Sequence, residues 1–233
     1  MSKKLMSIVM SIVVAASLAA CTNTTNNTEK KAETTTESQS DDKDKALEGT
    51  WAKNYSLEQT QKLYKDKLAK IESITKESGL KYSKDEKVKK DNGQTVNDNS
   101  IYFDNPKPEA NKIESMYFGM KTYGDDLATG DITLKLSLKF DGENAIKNND
   151  FDLGKTSFKK YIEAFTGQKD KDYSDINKQI IEKLKNGDKQ VEINNTVDGL
   201  KEQVLATKEC VIYILSTKKY KFADSNVSDA SME

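Results

Sequence analysis

The sequence predicts an α+β domain in which helices pack on one face of a mostly antiparallel sheet. Three observations carry that prediction. Residues 56–80 place apolar side chains at helical spacing. Residues 131–140 alternate apolar and polar without a fault. The succession of helix and then strands occurs again beyond residue 154, which hints at a duplicated α-then-β unit in element order, although no residue-level repeat accompanies it.

The elements follow in chain order. In "SLEQTQKLYKDKLAKIESITKESGL", Ser56 and Gln59 form a capping-box pattern, in which each residue satisfies a free amide of the other. Leu57, Tyr64, Leu68, Ile71 and Thr75 recur on one face, and Gly79 stands where a helix commonly ends. The opposite face is lysine and acid. A short strand is expected at 100–103, beyond which Pro106 and Pro108 share a loop, and an unevenly alternating strand at 112–123. In 131–140, Ile132, Leu134, Leu136, Leu138 and Phe140 face one way, and Thr133, Lys135, Ser137 and Lys139 the other. Such alternation describes a sheet with one face on a core and one in water, with Lys135 on the wet side. "DGEN" after it reads as a turn.

The second block opens with "KTSFKKYIEAFTG". Phe158, Tyr161, Ile162 and Phe165 share a face, and Gly167 closes the helix. "SDINKQIIEKLKNG" has Ile176, Ile180, Ile181 and Leu184, with Ser174 as cap and Gly187 as stop. Strands return at 189–194, 200–208 and 210–222. Residues 210–215 are apolar on both faces, which suits a central strand. These elements define one domain over 48–222, followed by a loose tail over 223–233.

The amino terminus, "MSKKLMSIVMSIVVAASLAAC", sets Lys3 and Lys4 before a short apolar run. That run is shorter than the roughly 20 residues a membrane-spanning helix needs, and it has the length of the apolar region of a secretory signal peptide. Leu18-Ala19-Ala20-Cys21 resembles the lipobox of bacterial lipoproteins at all four positions. The resemblance implies cleavage between Ala20 and Cys21 and diacylglyceryl attachment to the Cys21 thiol. Residues 1–20 are then a signal peptide, and the mature chain is held at the cell membrane, on its extracytoplasmic face, through acyl chains on Cys21. Each buried acyl CH₂ contributes about 0.8 kcal/mol, so two or three chains hold stably where one does not. Residues 21–47 are almost entirely Thr, Ser, Asn and charge, too polar to offset the entropy of ordering. They read as a disordered tether with a reach of about 25–30 Å.

The chain holds 37 basic and 38 acidic residues, a net charge of −1. Every basic residue is lysine, and histidine is absent. No Ser-His-Asp or Cys-His machinery and no imidazole metal ligand is therefore available. Without arginine there is no bidentate clamp for phosphate or carboxylate. The composition resembles that of low-GC Gram-positive bacteria. Near-neutral charge argues against a nucleic-acid partner. No phosphate loop or CxxC motif points to a cofactor. Cys210, the thiol that remains beside an acylated Cys21, lies in an apolar strand and reads as a small core residue.

Few constellations carry chemistry. Asp170, Asp172 and Ser174 have the spacing of calcium ligands, but Asp175 and Ile181 stand where a calcium loop needs Gly and Glu, so a polar turn is expected and no metal site. Asp125, Asp126 and Asp131 flank a loop before the strand at 131–140, and a chance cluster is expected there and not a catalytic pair. Trp51 and Tyr55, at the junction of tether and domain, are the candidate binding surface for a sugar or a protein. "FDLGKTSFKKYIEAFTG", residues 151–167, is similar to the stretch that opens the helix in the helix-plus-sheet modules of small bacterial lipoproteins, including β-lactamase-inhibitor-like proteins. The rest of the chain departs from that pattern, and the resemblance implies only the fold class. The expected function is a non-catalytic, membrane-anchored domain that binds a protein, a peptide or a cell-wall polymer. The alternatives are a carboxylate-based wall-glycan hydrolase and an accessory solute-binding lipoprotein.

Overall fold

A computed structural model of the protein describes residues 47–222. The expected signal peptide, the expected cleavage and lipidation position at Ala20–Cys21, nearly all of the expected tether and the tail fall outside the described residues.

Helix α1 (Leu57–Glu77) begins as the sequence requires: Ser56 Oγ accepts from Gln59 N at 3.2 Å, and Gln59 Oε1 accepts from Ser56 N at 2.9 Å. Its buried stripe is Thr60, Tyr64, Ile71 and Thr75. Four strands follow as a meander: β1 (Ser83–Asp91), β2 (Gln94–Asp104), β3 (Ile113–Tyr123) and β4 (Thr129–Lys139). The chain then crosses back through α2 (Gly142–Asn148), α3 (Phe158–Thr166) and α4 (Ser174–Lys185). A second meander completes the sheet with β5 (Val191–Val197), β6 (Leu200–Ala206) and β7 (Cys210–Ser216), and a short β8 (Tyr220–Lys221) pairs with β4.

The sheet order is β1-β2-β3-β4-β7-β6-β5, antiparallel throughout. It is a palindrome of two meanders: the first strand of each half lies at an edge, and the last strands, β4 and β7, meet at the centre. The expected α+β architecture is thus present. The helices lie on one face, over Phe118, Leu134 and Tyr213. Tyr64 of α1 stacks on Phe118 at 5.2 Å, Phe118 meets Phe165 of α3 edge-on at 5.6 Å, and Phe158 packs on Tyr213 at 6.4 Å. Ile132, Leu134, Leu136 and Leu138 of β4 are fully buried beneath them.

Three local expectations need correction. The first strand is not at 100–103: β2 begins at Gln94 and pairs from there to Tyr102 with β1, an almost wholly polar edge strand. Asn92 and Gly93, with φ of 49° and 79°, supply the two left-handed residues of the tight hairpin turn between them. "DGEN" is not a turn but the start of α2, where Asp141 Oδ1 accepts from Asn144 N at 3.2 Å. Ser174 does not cap α4 from outside. It is the first helical residue, and Asp172 accepts from both its amide (2.8 Å) and its hydroxyl (2.9 Å).

The amino-terminal segment is clamped to the second meander. Trp51 N donates to Asp198 O at 3.0 Å, and Thr50 N to Asp198 Oδ1 at 2.8 Å. Gly49 (φ 120°) sits so close to the β5–β6 turn that a Cβ would lie 2.7 Å from Asp198 Cα. Asn54 exchanges two hydrogen bonds with the Lys221 backbone, at 2.6 and 2.9 Å.

Candidate functional site

The expected binding surface at Trp51 and Tyr55 dissolves on inspection of their surroundings. Trp51 is only 3% exposed. Its ring packs 5.0 Å from Phe165 under Lys67, and its carbonyl accepts from Tyr220 at 3.1 Å. Tyr55 is half-buried edge-on against Tyr220 at 5.3 Å, and its hydroxyl donates to Thr50 O at 2.9 Å. The two residues close the base of the core because the chain must fold beneath α3 before it can start α1.

The other face of the sheet carries no helix among the described residues. Side chains alternate along each strand, so every second residue of β1–β4 and β5–β7 points there, and the register sets them in lines across the strands. One line runs Tyr102, Tyr117, Lys135, Ile214, Gln203. The next is small: Ser100, Gly119, Thr133, Ser216. The third alternates in charge: Lys87, Asp98, Lys121, Asp131.

Hydrogen bonds fix the tyrosines on this face. Tyr117 donates to Asp98 Oδ1 at 2.9 Å, and Tyr123 donates to Asp131 Oδ2 at 2.8 Å. To reach Asp98, Tyr117 lays its ring along β3 over Gly119, where a Cβ would lie 2.6 Å from Tyr117 Cζ. Glycine at 119 is therefore a requirement of close approach. Lys219 Nζ stands 4.0 Å from the Tyr123 ring centroid, a close cation–π contact. Tyr102 is 37% exposed beside Tyr117.

The electrostatics follow from partial burial. Desolvation, and then the Asp98 charge and hydrogen bond, hold the Tyr117 hydroxyl far above the ordinary tyrosine value; Tyr123 is raised the same way, by burial and then by Asp131. Burial raises Asp131 above the usual carboxylate range against the opposing pull of Tyr123, Lys121 and Lys219. Burial lowers Lys135.

Of Asp125, Asp126 and Asp131, only Asp131 is on this face, because it lies within β4 and not in the loop before it. Asp125 accepts from the Thr95 hydroxyl, and Asp126 accepts from Ala128 N at 3.2 Å, so both serve the turn. The Asp172 carboxylate is engaged by the amide and hydroxyl of Ser174, and among the described residues no group of three or more His, Cys, Asp or Glu side chains is placed to hold an ion. Cys210 is buried on the sheet, its sulfur 3.5 Å from Ser137 Oγ. Asp98 and Tyr117 escaped the sequence reading together, because their meeting depends on a β2–β3 register that a strand begun at residue 100 does not reach.

No family model matches the chain, and no curated protein or solved structure is significantly similar to it.

Proposed function

We propose that the protein is a lipid-anchored, extracytoplasmic lipoprotein whose α+β domain is a non-catalytic binding module for a protein, a peptide or a wall polymer, working through the helix-free face of its sheet. The lipobox resemblance at Leu18–Cys21 supports the location. The observation that carries the binding reading is the face itself. Tyr117 and Tyr123 are held in place by carboxylates, and Tyr102 is exposed among them. Pre-set aromatics lose little entropy when a ligand arrives. The test is a photo-reactive residue placed in living cells at position 102, with a second at Lys62 on the solvent side of α1. The expected result is ligand capture from 102 and not from 62, and capture from 62 alone would overturn the reading. Cys21→Ala is expected to release the protein from the membrane fraction or to block its processing, read by detergent phase partitioning.

One observation favours a second reading, a carboxylate-based glycan hydrolase. Asp98 and Asp131 share the face two strand spacings, about 10 Å, apart, and Asp131 is raised towards the protonated form of a general acid. Release of new reducing ends from wall glycan, abolished by Asp131→Asn, would establish it in place of the first.

A further inference from the structure

We infer that the ligand of this face is a neutral, hydroxyl-rich glycan strand, seated on Tyr102 and Tyr117. The inference rests on the binding reading above and names its ligand class. The first argument is charge. Lys87, Asp98, Lys121 and Asp131 alternate in sign along one line of the sheet, so each charge has an opposite neighbour on the adjacent strand. A face compensated in this way offers a polyanion or a polycation little net attraction. The second argument is shape. Neighbouring strands stand about 4.8 Å apart, and Tyr102, the exposed ring, is paired directly with Tyr117 across β2 and β3. Tyr117 is laid down over Gly119, not standing off the sheet. The third is hydrogen bonding. The carboxylates of Asp98 and Asp131 each receive a tyrosine hydroxyl through one oxygen. The Lys121 ammonium stands 5.8 Å over the Tyr117 ring centroid, a donor above that ring, and the second carboxylate oxygen of Asp98 is an acceptor on the same face. An exposed Tyr102 ring bordered by charge-balanced donors and acceptors is complementary to a sugar ring, which has an apolar C–H face and a rim of hydroxyls.

The experiment is titration of the full chain with a neutral N-acetylglucosamine hexamer, with a glycerol-phosphate polymer as the anionic comparison. Binding of the hexamer is expected, unchanged between low and high salt because no net charge is engaged. Tyr102→Ala is expected to weaken it at least about tenfold. Gly119→Ala, which puts a methyl where the Tyr117 ring lies, is expected to do the same. Where Gly119→Ala fails to fold, Tyr117→Ala serves instead: it removes the ring itself and should also weaken binding at least about tenfold. Salt-sensitive binding of the glycerol-phosphate polymer without the hexamer would overturn the ligand class and leave the binding module standing. Hexamer binding indifferent to Tyr102→Ala and Gly119→Ala would overturn the location. Capture of a protein from position 102 with no hexamer binding would overturn the inference alone, whereas capture from position 62 alone overturns the reading beneath it.

Discussion

Beneath the helices, one buried carboxylate organises the second half of the molecule. Glu202 of β6 is 2% exposed. It accepts from Lys171 Nζ at 2.8 Å, from the Tyr213 hydroxyl, and from Asn195 Nδ2 at 3.2 Å. Such a buried charge is tolerable only because every partner is present. Lys171→Met removes the cation paired with Glu202 and should lower stability by about 3–5 kcal/mol. Close by, the Tyr173 hydroxyl is buried with no hydrogen-bond partner among the described residues. An orphaned buried hydroxyl costs about 1–3 kcal/mol, so Tyr173→Phe should raise the urea midpoint while Lys171→Met lowers it. Asp131 on the open face makes a pH-dependent case. Its folded value is raised by burial, so its ionised form weakens the folded state once the pH exceeds that value, and the penalty fades below the unfolded value of about 3.9. Asp131→Asn keeps an oxygen for Tyr123 and removes the charge. The variant should gain on the wild type at neutral pH, and the difference should close as the pH falls below roughly 4, read by unfolding curves across that range.

Strand β4 shows how far periodicity reaches. Leu136 is fully buried under the helices, and its neighbour Lys135 is on the open face. Leu136→Ala leaves a cavity in a close-packed core and should cost about 2–5 kcal/mol. Lys135→Ala should cost about 0.5 kcal/mol or less, since its ammonium is already disfavoured by partial burial. Equal midpoint shifts in urea would refute the division of faces. Elements with a strong apolar period, α1, β4, α3 and α4, were legible because burial demanded that period. The β1–β2 hairpin was not. Its outer strand, "SKDEKVKKD", is an edge that keeps charge on both faces against unwanted pairing, so its only sequence mark is Asn92-Gly93. The candidate site was hidden for a related reason. Its lines run across strands, and a line such as Asp98–Lys121–Asp131 joins residues that no single segment of sequence displays together. Trp51 misled by composition, because an aromatic beside a polar stretch reads as exposed until the fold beneath α3 is known.

At the scale of the whole molecule, the palindromic strand order sets the division of labour. Each meander forms from hairpins close in sequence, and the seam between β4 and β7 is the long-range pairing that joins them. The route from the central β4 to the edge strand β5 is long, and α2, α3 and α4 occupy it. The amino-terminal clamp on Asp198 and Lys221 acquires a mechanical meaning if the chain is held from upstream. Tension drawn through Leu47 would load the bonds of Thr50, Trp51 and Asn54 first, and would pass from there into the β5–β6 turn and the end of β4 through β8. The β1–β2 hairpin, Tyr102 and Tyr117 stand off that load path, so a pull on the anchor would reach the clamp before it disturbed that part of the face.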